Sequence, residues 1–220
     1  KRAPPLTLIL YGPPGTGKTY RLKNDYLPRY QDEAVDRFEF VTFHQSYAYE
    51  DFVEGIRPVT ENGAVIYEVR PGVLKRLCNR ARRAPDKRFA LFIDEINRGN
   101  VAKVFGELIT LGEVDKRIRT DASGNRLASC KGLEVTLPYS GERFGVPANV
   151  DVIGTMNTAD RSIALLDSAL RRRFRFEELT PKPELLESID DSEGNAIDLR
   201  QLLQAMNARL SRLLHRDQTL

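Results

Sequence analysis

The residues able to do chemistry begin with Gly12-Pro13-Pro14-Gly15-Thr16-Gly17-Lys18-Thr19, which fits the phosphate-binding pattern G-x-x-x-x-G-K-[ST]. The glycines let the backbone wrap a phosphate closely and turn its N–H groups inward. Lys18 supplies a point charge for the β- and γ-phosphates, and the Thr19 hydroxyl is placed to bind Mg²⁺. A second signal is Asp94-Glu95, two acids that close the apolar run Phe89-Ala90-Leu91-Phe92-Ile93. Such a run is expected beside the first strand of a parallel sheet, where its carboxyl end meets the phosphate loop. Asp94 then holds Mg²⁺, directly or through water, and Glu95 polarises the attacking water. Acids end many strands, so the pair gains meaning only from the phosphate loop. Together they point to nucleotide hydrolysis rather than binding alone. A third apolar run, Val150-Asp151-Val152-Ile153-Gly154-Thr155-Met156, ends in Asn157-Thr158-Ala159-Asp160. A polar residue there sits next to the γ-phosphate and can position water.

Elements must carry these groups. Leu6–Tyr11 reads as a buried strand entering the loop, and residues 18–28 as a helix ended near Pro28. Residues 37–43 read as a second strand. His44 after it is either a ligand or general base, or a loop residue that helps place the next helix, with the loop role the commoner one. The nearby Tyr47, Tyr49 and Phe52 read as packing anchors. Residues 64–70 read as a short edge strand. Val73–Arg83 is an amphipathic helix with Val73, Leu74, Leu77, Cys78 and Ala81 on one face; its basic face, Lys75, Arg76, Arg80, Arg82 and Arg83, could line a subunit interface or a phosphate, with a solvated face the commoner explanation. A helix is expected from Val101 to about Leu111, and hairpins or an inserted loop over 112–147. A short helix from Ile163 to Arg171 leads into a last strand. The tail holds a helix over Leu199–Leu214. The fold class is therefore α/β, a parallel sheet flanked by helices. The boundaries are a nucleotide-binding domain over 1–178 and a small, partly truncated α-helical lid over 179–220.

Bulk properties narrow the partners. A net charge of +3 argues against nucleic-acid binding by charge alone. Two cysteines, Cys78 and Cys130, form neither metal-ligand spacing nor a disulfide framework, which suits a reducing cytoplasm. No apolar run approaches the ~18 residues of a membrane span, so no membrane partner is expected. The abrupt opening before a core strand suggests a domain excised from something larger.

Several of these motifs together resemble the AAA+ family and, more narrowly, the McrB family. The carriers are Phe43-His44-Gln45-Ser46-Tyr47, Tyr49-Glu50-Asp51-Phe52, Asp94-Glu95-Ile96-Asn97-Arg98, Lys103-Val104-Phe105-Gly106-Glu107, Met156-Asn157-Thr158-Ala159-Asp160-Arg161-Ser162 and Ala169-Leu170-Arg171-Arg172-Arg173-Phe174. The resemblance implies a sheet ordered 5-1-4-3-2 with a helical lid, and homo-oligomeric rings, commonly hexamers, with nucleotide between subunits. It implies GTP in preference to ATP, and roles for Asn157 and Asp160 in nucleotide sensing and hydrolysis. An arginine of the run, Arg172 or Arg173, would act on the neighbour's γ-phosphate, where a transferring phosphoryl group needs a bidentate cation. Arg98 and Arg161 are secondary candidates. It further implies an McrC-like partner that stimulates hydrolysis and carries the nuclease, and DNA contact through a domain not in this chain.

The leading expectation is thus a GTP-hydrolysing motor domain that drives DNA translocation for a modification-dependent restriction nuclease. An ATP-hydrolysing defence or remodelling ATPase of the same fold is the first alternative, since no Asn-Lys-x-Asp guanine motif is present. A non-hydrolysing, nucleotide-dependent scaffold is the second, and Glu95 and the arginine run argue against it.

Overall fold

The structure is a computed structural model that describes residues 4–32, 36–158, 168–190 and 196–213. Its centre is a five-stranded parallel sheet built from β1 (Thr7–Gly12), β2 (Phe38–Thr42), β5 (Phe89–Asp94), β8 (Val150–Asn157) and β9 (Arg175–Glu178), in the order β2-β5-β8-β1-β9. Numbered among themselves, these strands run 5-1-4-3-2 from the β9 edge. One expectation is corrected: the strand ending in Asp94-Glu95 is not next to β1, because β8 lies between them. The register Gly12↔Asn157 and Ile93↔Gly154 still brings all three carboxyl ends to one edge of the sheet.

The central strands are apolar almost throughout because helices cover both faces. Alternation sorts their side chains. Ile9, Phe89, Leu91, Ile93, Val150 and Val152 face one core, and Leu8, Leu10, Ala90, Phe92 and Ile153 face the other. The second core is closed by Leu22, Tyr26 and Tyr30 from the helical run after the phosphate loop. That run begins as α1 (Lys18–Arg21), widens to a π turn over Leu22–Tyr26 and tightens to a 3₁₀ turn over Leu27–Tyr30. Pro28 sits in the first turn of the last segment, where its missing N–H is tolerated, rather than ending the helix.

The first core is closed by α2 (Tyr49–Phe52), α3 (Val73–Arg83) and α4 (Val101–Phe105). Leu74, Leu77, Cys78 and Ala81 of α3 are buried as their spacing requires, worth roughly 1.5–3 kcal/mol for each fully buried large apolar side chain. Phe43 stacks on Tyr47 at 4.8 Å, and Phe52 meets Phe105 at 4.7 Å, so these rings are packing anchors. The helix expected to reach Leu111 stops at Phe105. Gly106 takes φ +51°, and a 3₁₀ segment follows over Gly106–Gly112.

Between α2 and α3 stands a two-stranded antiparallel hairpin, β3 (Glu54–Glu61) and β4 (Ala64–Pro71). It is turned by Asn62-Gly63, both at positive φ. Residues 64–70 are therefore no edge of the main sheet. Lys75 is also misplaced by helical spacing alone: it is 6% exposed rather than solvated. Its Nζ lies 2.7 Å from Glu54 Oε2 and 2.6 Å from Glu142 Oε2. Glu54, fully buried, accepts the backbone N–H groups of Tyr139 (3.2 Å) and Ser140 (2.9 Å). This network ties the foot of the hairpin to the turn joining β6 (Val135–Thr136) and β7 (Arg143–Phe144). Beyond α5 (Ser168–Arg173) and β9, the tail is not purely helical. It holds a small hairpin, β10 (Ser188–Asp190) with β11 (Ala196–Asp198), before α6 (Leu199–Leu213).

Candidate nucleotide site

The phosphate loop joins β1 to α1. A Cβ on Gly12 would fall 2.1 Å from the Leu179 carbonyl oxygen, and Gly17 caps α1 at φ +81°. Both positions need glycine. Lys18 is 6% exposed and its ammonium lies within the loop, donating to the carbonyls of Gly12 at 2.9 Å and Pro13 at 2.6 Å and to Thr16 Oγ1 at 3.4 Å. Burial lowers its pKa, while the negative charges of Glu95 and Asp94 pull it back up. The register of β1, β8 and β5 brings the loop that carries the lysine and both acids to one edge of the sheet.

Thr19 Oγ1 donates to Asp94 Oδ1 at 3.2 Å. The Thr155 hydroxyl donates a short hydrogen bond to the same carboxylate oxygen and accepts the Glu95 N–H at 3.2 Å. Glu95 itself takes φ +54°, ψ +44°, a left-handed conformation unusual for a glutamate. Asn157 Nδ2 donates to Glu95 Oε1 at 2.6 Å, and the Arg98 guanidinium lies 3.3 Å from Glu95 Oε2. The Asn97 amide donates to the Asn157 carbonyl at 3.3 Å, and Thr158 N–H to the Gly12 carbonyl at 3.0 Å. The loop, the acid pair and the end of β8 are thus stitched together along the carboxyl edge of the sheet.

The donors that meet at Asp94 and Thr19 are oxygens of a carboxylate and a hydroxyl, the hard donor set that suits Mg²⁺. Among the described residues no group of three or more His, Cys, Asp or Glu could hold a metal.

The remaining candidates lie apart. Asp160 and Arg161 fall outside the described residues. The end of α5 sits at the opposite edge of the sheet, because Thr7 Oγ1 at the start of β1 donates to the Arg173 carbonyl at 2.9 Å. At ~3.3 Å per residue, Thr7 is roughly 17 Å from Gly12. Arg173 is tied to Glu113 at 2.9 Å with 15% of its side chain exposed, whereas Arg172 is exposed and makes no ion pair among the described residues. His44 is an exposed loop residue, its ring edge-on to Tyr47 at 5.5 Å. A cleft of about 860 Å³ opens beside it, under the hairpin. There Arg57 pairs with Asp51, Arg70 with Glu68, and Arg76 donates to the Pro71 carbonyl. Two of its three cations are therefore already paired with acids.

Sequence reasoning missed Thr155. It is 2% exposed on β8, and nothing in one strand's alternation says which neighbour its hydroxyl meets. Parallel pairing of β8 with β5, two residues before Asn157, is the signal that would have found it.

Fold and site together define a P-loop nucleoside triphosphatase. The chain matches the family model of the AAA domain, dynein-related subfamily, over residues 7–174. It is 41% identical over 206 residues to the Type IV methyl-directed restriction enzyme EcoKMcrB subunit of Escherichia coli (strain K12), covering 91% of this chain and 41% of that protein. It is 29% identical over 200 residues to the Type II restriction enzyme BsuMI component YdiS of Bacillus subtilis (strain 168), covering 81% of this chain and 58% of that one. The chain belongs to the AAA domain family and, within it, to the McrB-type AAA+ NTPases. It spans roughly two-fifths to three-fifths of the length of these curated relatives.

Proposed function

We propose that this chain is the motor unit of a restriction system, hydrolysing GTP in an oligomeric, hexameric ring to move DNA for a modification-dependent nuclease. The observation that carries the reading is the cluster at the carboxyl edge of the sheet. Thr19 and Asp94 stand 3.2 Å apart, and Asn157 holds Glu95 at 2.6 Å. The phosphate loop with Lys18 would bind the triphosphate, and Thr19 and Asp94 would hold Mg²⁺. Bound there, the ion would neutralise charge on the β- and γ-phosphate oxygens. Glu95, steadied by Asn157, would accept the proton of the attacking water. Asp160 keeps the sensing role that the family resemblance assigns to it.

The arginine run supports a shared site. Some 17 Å of strand separates it from the phosphate loop of its own chain, beyond the reach of one side chain. That separation supports a role on a neighbouring subunit's nucleotide, for which the exposed Arg172 is the first candidate and the tethered Arg173 the second. The relatives named as restriction-enzyme components support a restriction setting. An McrC-like nuclease that stimulates turnover, DNA engagement through a domain not in this chain, a cytoplasmic location and a lid over 179–220 belong to the same reading. Among the described residues no helix is long and apolar enough to cross a membrane.

The test is steady-state phosphate release with GTP and with ATP at equal Mg²⁺ across a range of protein concentrations. Preference for GTP, with specific activity rising with concentration, is expected. Preference for ATP would move the chain to a related ATPase branch. Activity independent of concentration would refute the shared site.

A further inference from the structure

A second cleft, of about 680 Å³, opens at the other edge of the sheet, where β5 and β8 begin, away from the nucleotide site. Arg88, Arg117, Arg119, Lys131, Asp115 and Cys130 are among its lining residues. Of the four cations, Arg88 is neutralised by Asp151. Arg119 and Lys131 make no ion pair among the described residues, and the one acid of the lining, Asp115, pairs with Lys116 at 3.2 Å.

Arg117 is the unusual one. It is 3% exposed, its Nε is buried without a hydrogen-bond partner, and its Nη1 makes one long hydrogen bond, 3.4 Å to the Val150 carbonyl. Burial pulls its pKa down to about 10, against weaker support from Cys78 and Asp151. A guanidinium taken from water without a carboxylate is a costly arrangement. An anion entering the cleft would relieve it.

Cys130 sits at the same place, half-buried. Its sulfur receives two backbone N–H groups, from Arg119 at 3.1 Å and Gly132 at 3.4 Å. Arg126 packs on the same turn, donating to the carbonyls of Cys130 (2.9 Å) and Gly132 (2.6 Å). It also pairs with Glu134 at 3.2 Å. Burial raises the thiol pKa, but the two N–H donors and the Arg126 charge outweigh it and hold the pKa below its ordinary value. Accessible thiolates in electropositive surroundings are the reactive ones.

We propose that this cleft is a thiol-modification site, in which Cys130 exchanges with an anionic disulfide of the glutathione type whose acid groups lie on Arg117, Arg119 and Lys131. The Cys130 thiolate attacks one sulfur of the incoming disulfide, a new S–S bond forms and the old one breaks. The other half leaves as a thiolate that takes a proton from water. Cys130 is oxidised to a mixed disulfide and the leaving half is reduced, so no further oxidant is needed.

The experiment measures thiol modification of the native protein by stopped flow. It uses the dianionic 5,5′-dithiobis(2-nitrobenzoate) and the neutral 2,2′-dithiodipyridine, each normalised to N-acetylcysteine amide at the same pH. Cys78, fully buried with its pKa pushed up to about 12 by burial, should react only slowly, and N-acetylcysteine amide is the reference thiol. One fast equivalent per chain is expected, lost in Cys130→Ser. It should exceed the reference thiol by about tenfold at pH 7 with the anionic reagent, and by much less with the neutral one. The difference should shrink in high salt and in the Arg119→Ala/Lys131→Ala double variant, which leaves the backbone donors in place. Arg117→Met should also reduce it, and the double variant keeps the test valid if Arg117→Met does not fold. A fast phase with equal gain for both reagents would remove the anion site. A Cys130 no faster than the reference thiol would remove the proposal altogether. Neither outcome bears on nucleotide hydrolysis.

Discussion

Thr155→Val removes one hydroxyl and almost no volume, and it tests whether the two acids act where β8 holds them. In the native protein that hydroxyl donates to Asp94 Oδ1 and accepts the Glu95 N–H at 3.2 Å. The first bond reaches a charged acceptor and is worth about 1.5–3 kcal/mol. The second anchors a residue whose left-handed backbone, at φ +54°, carries strain of order 1–3 kcal/mol and persists only because its surroundings enforce it. If about 1 kcal/mol or more of the first term is felt in the transition state, turnover falls by at least about fivefold, since ~1.4 kcal/mol is tenfold in rate. Asp94 loses its nearest donor and gains freedom, so the Mg²⁺ concentration for half-maximal rate should shift as well. The assay is phosphate release titrated with Mg²⁺, with binding of a fluorescent nucleotide and the thermal midpoint measured alongside. Thr155→Ser keeps the hydroxyl and should stay within about threefold of the parent. A folded Thr155→Val protein with parental turnover and an unchanged Mg²⁺ response would refute the reasoning, because the hydroxyl would then be merely a satisfied core group.

Other perturbations follow from the same geometry. Glu95→Gln keeps the shape and the Asn157 contact but cannot take a proton. It should bind nucleotide and lose most hydrolysis, typically about 10²–10⁴-fold for a lost general base; unchanged phosphate release would remove Glu95 from that role. Arg172→Ala should lower turnover without loss of nucleotide affinity, and mixing it with Glu95→Gln should restore activity, since each variant supplies what the other's interface lacks. No recovery over any mixing ratio would count against an arginine acting across subunits. Arg173→Ala should instead lower the thermal midpoint through loss of the Glu113 pair. Lys75→Met leaves the Glu54 carboxylate buried and unpaired, so it should destabilise the fold by about 3–5 kcal/mol near neutrality. Burial opposes ionisation of Glu54, yet hydrogen bonds from Lys75 and Ser140 hold its pKa below the ordinary range. Its contribution is thus present above the usual ~4.3 and lost as pH falls through the lowered value. The gap between parent and Lys75→Met in chemical denaturation should therefore narrow on acidification below about pH 4; a gap constant from pH 7 to 3 would contradict this.

What was legible in the chain followed from how local each cause is. The phosphate loop, the acid pair and the strands around them are written in contiguous residues, because a central parallel strand must be apolar on both faces and must end in polar groups where it leaves the sheet. Strand order is not local. The Asp94 strand was expected beside β1 because their chemistry meets, yet β8 lies between them, and α1 bridges the gap by carrying Thr19 to Asp94. The hairpin was half-legible. Asn62-Gly63 between alternating runs is a strong turn signal, but Pro58 inside the first strand obscured β3, and a strand without its partner was assigned to the wrong sheet. Lys75 shows the limit of helical periodicity. It lies between the apolar positions of α3, where solvent would be expected, and is buried because Glu54 and Glu142 arrive from elements 21 and 67 residues away in sequence. The same reasoning separates the two sets of site residues. Lys18, Thr19, Asp94, Glu95 and Asn157 stand at one edge of one sheet and interact within this chain. Arg172, exposed beside the start of β1 and without an ion pair among the described residues, stands apart from that edge, so its assignment rests on the family resemblance alone.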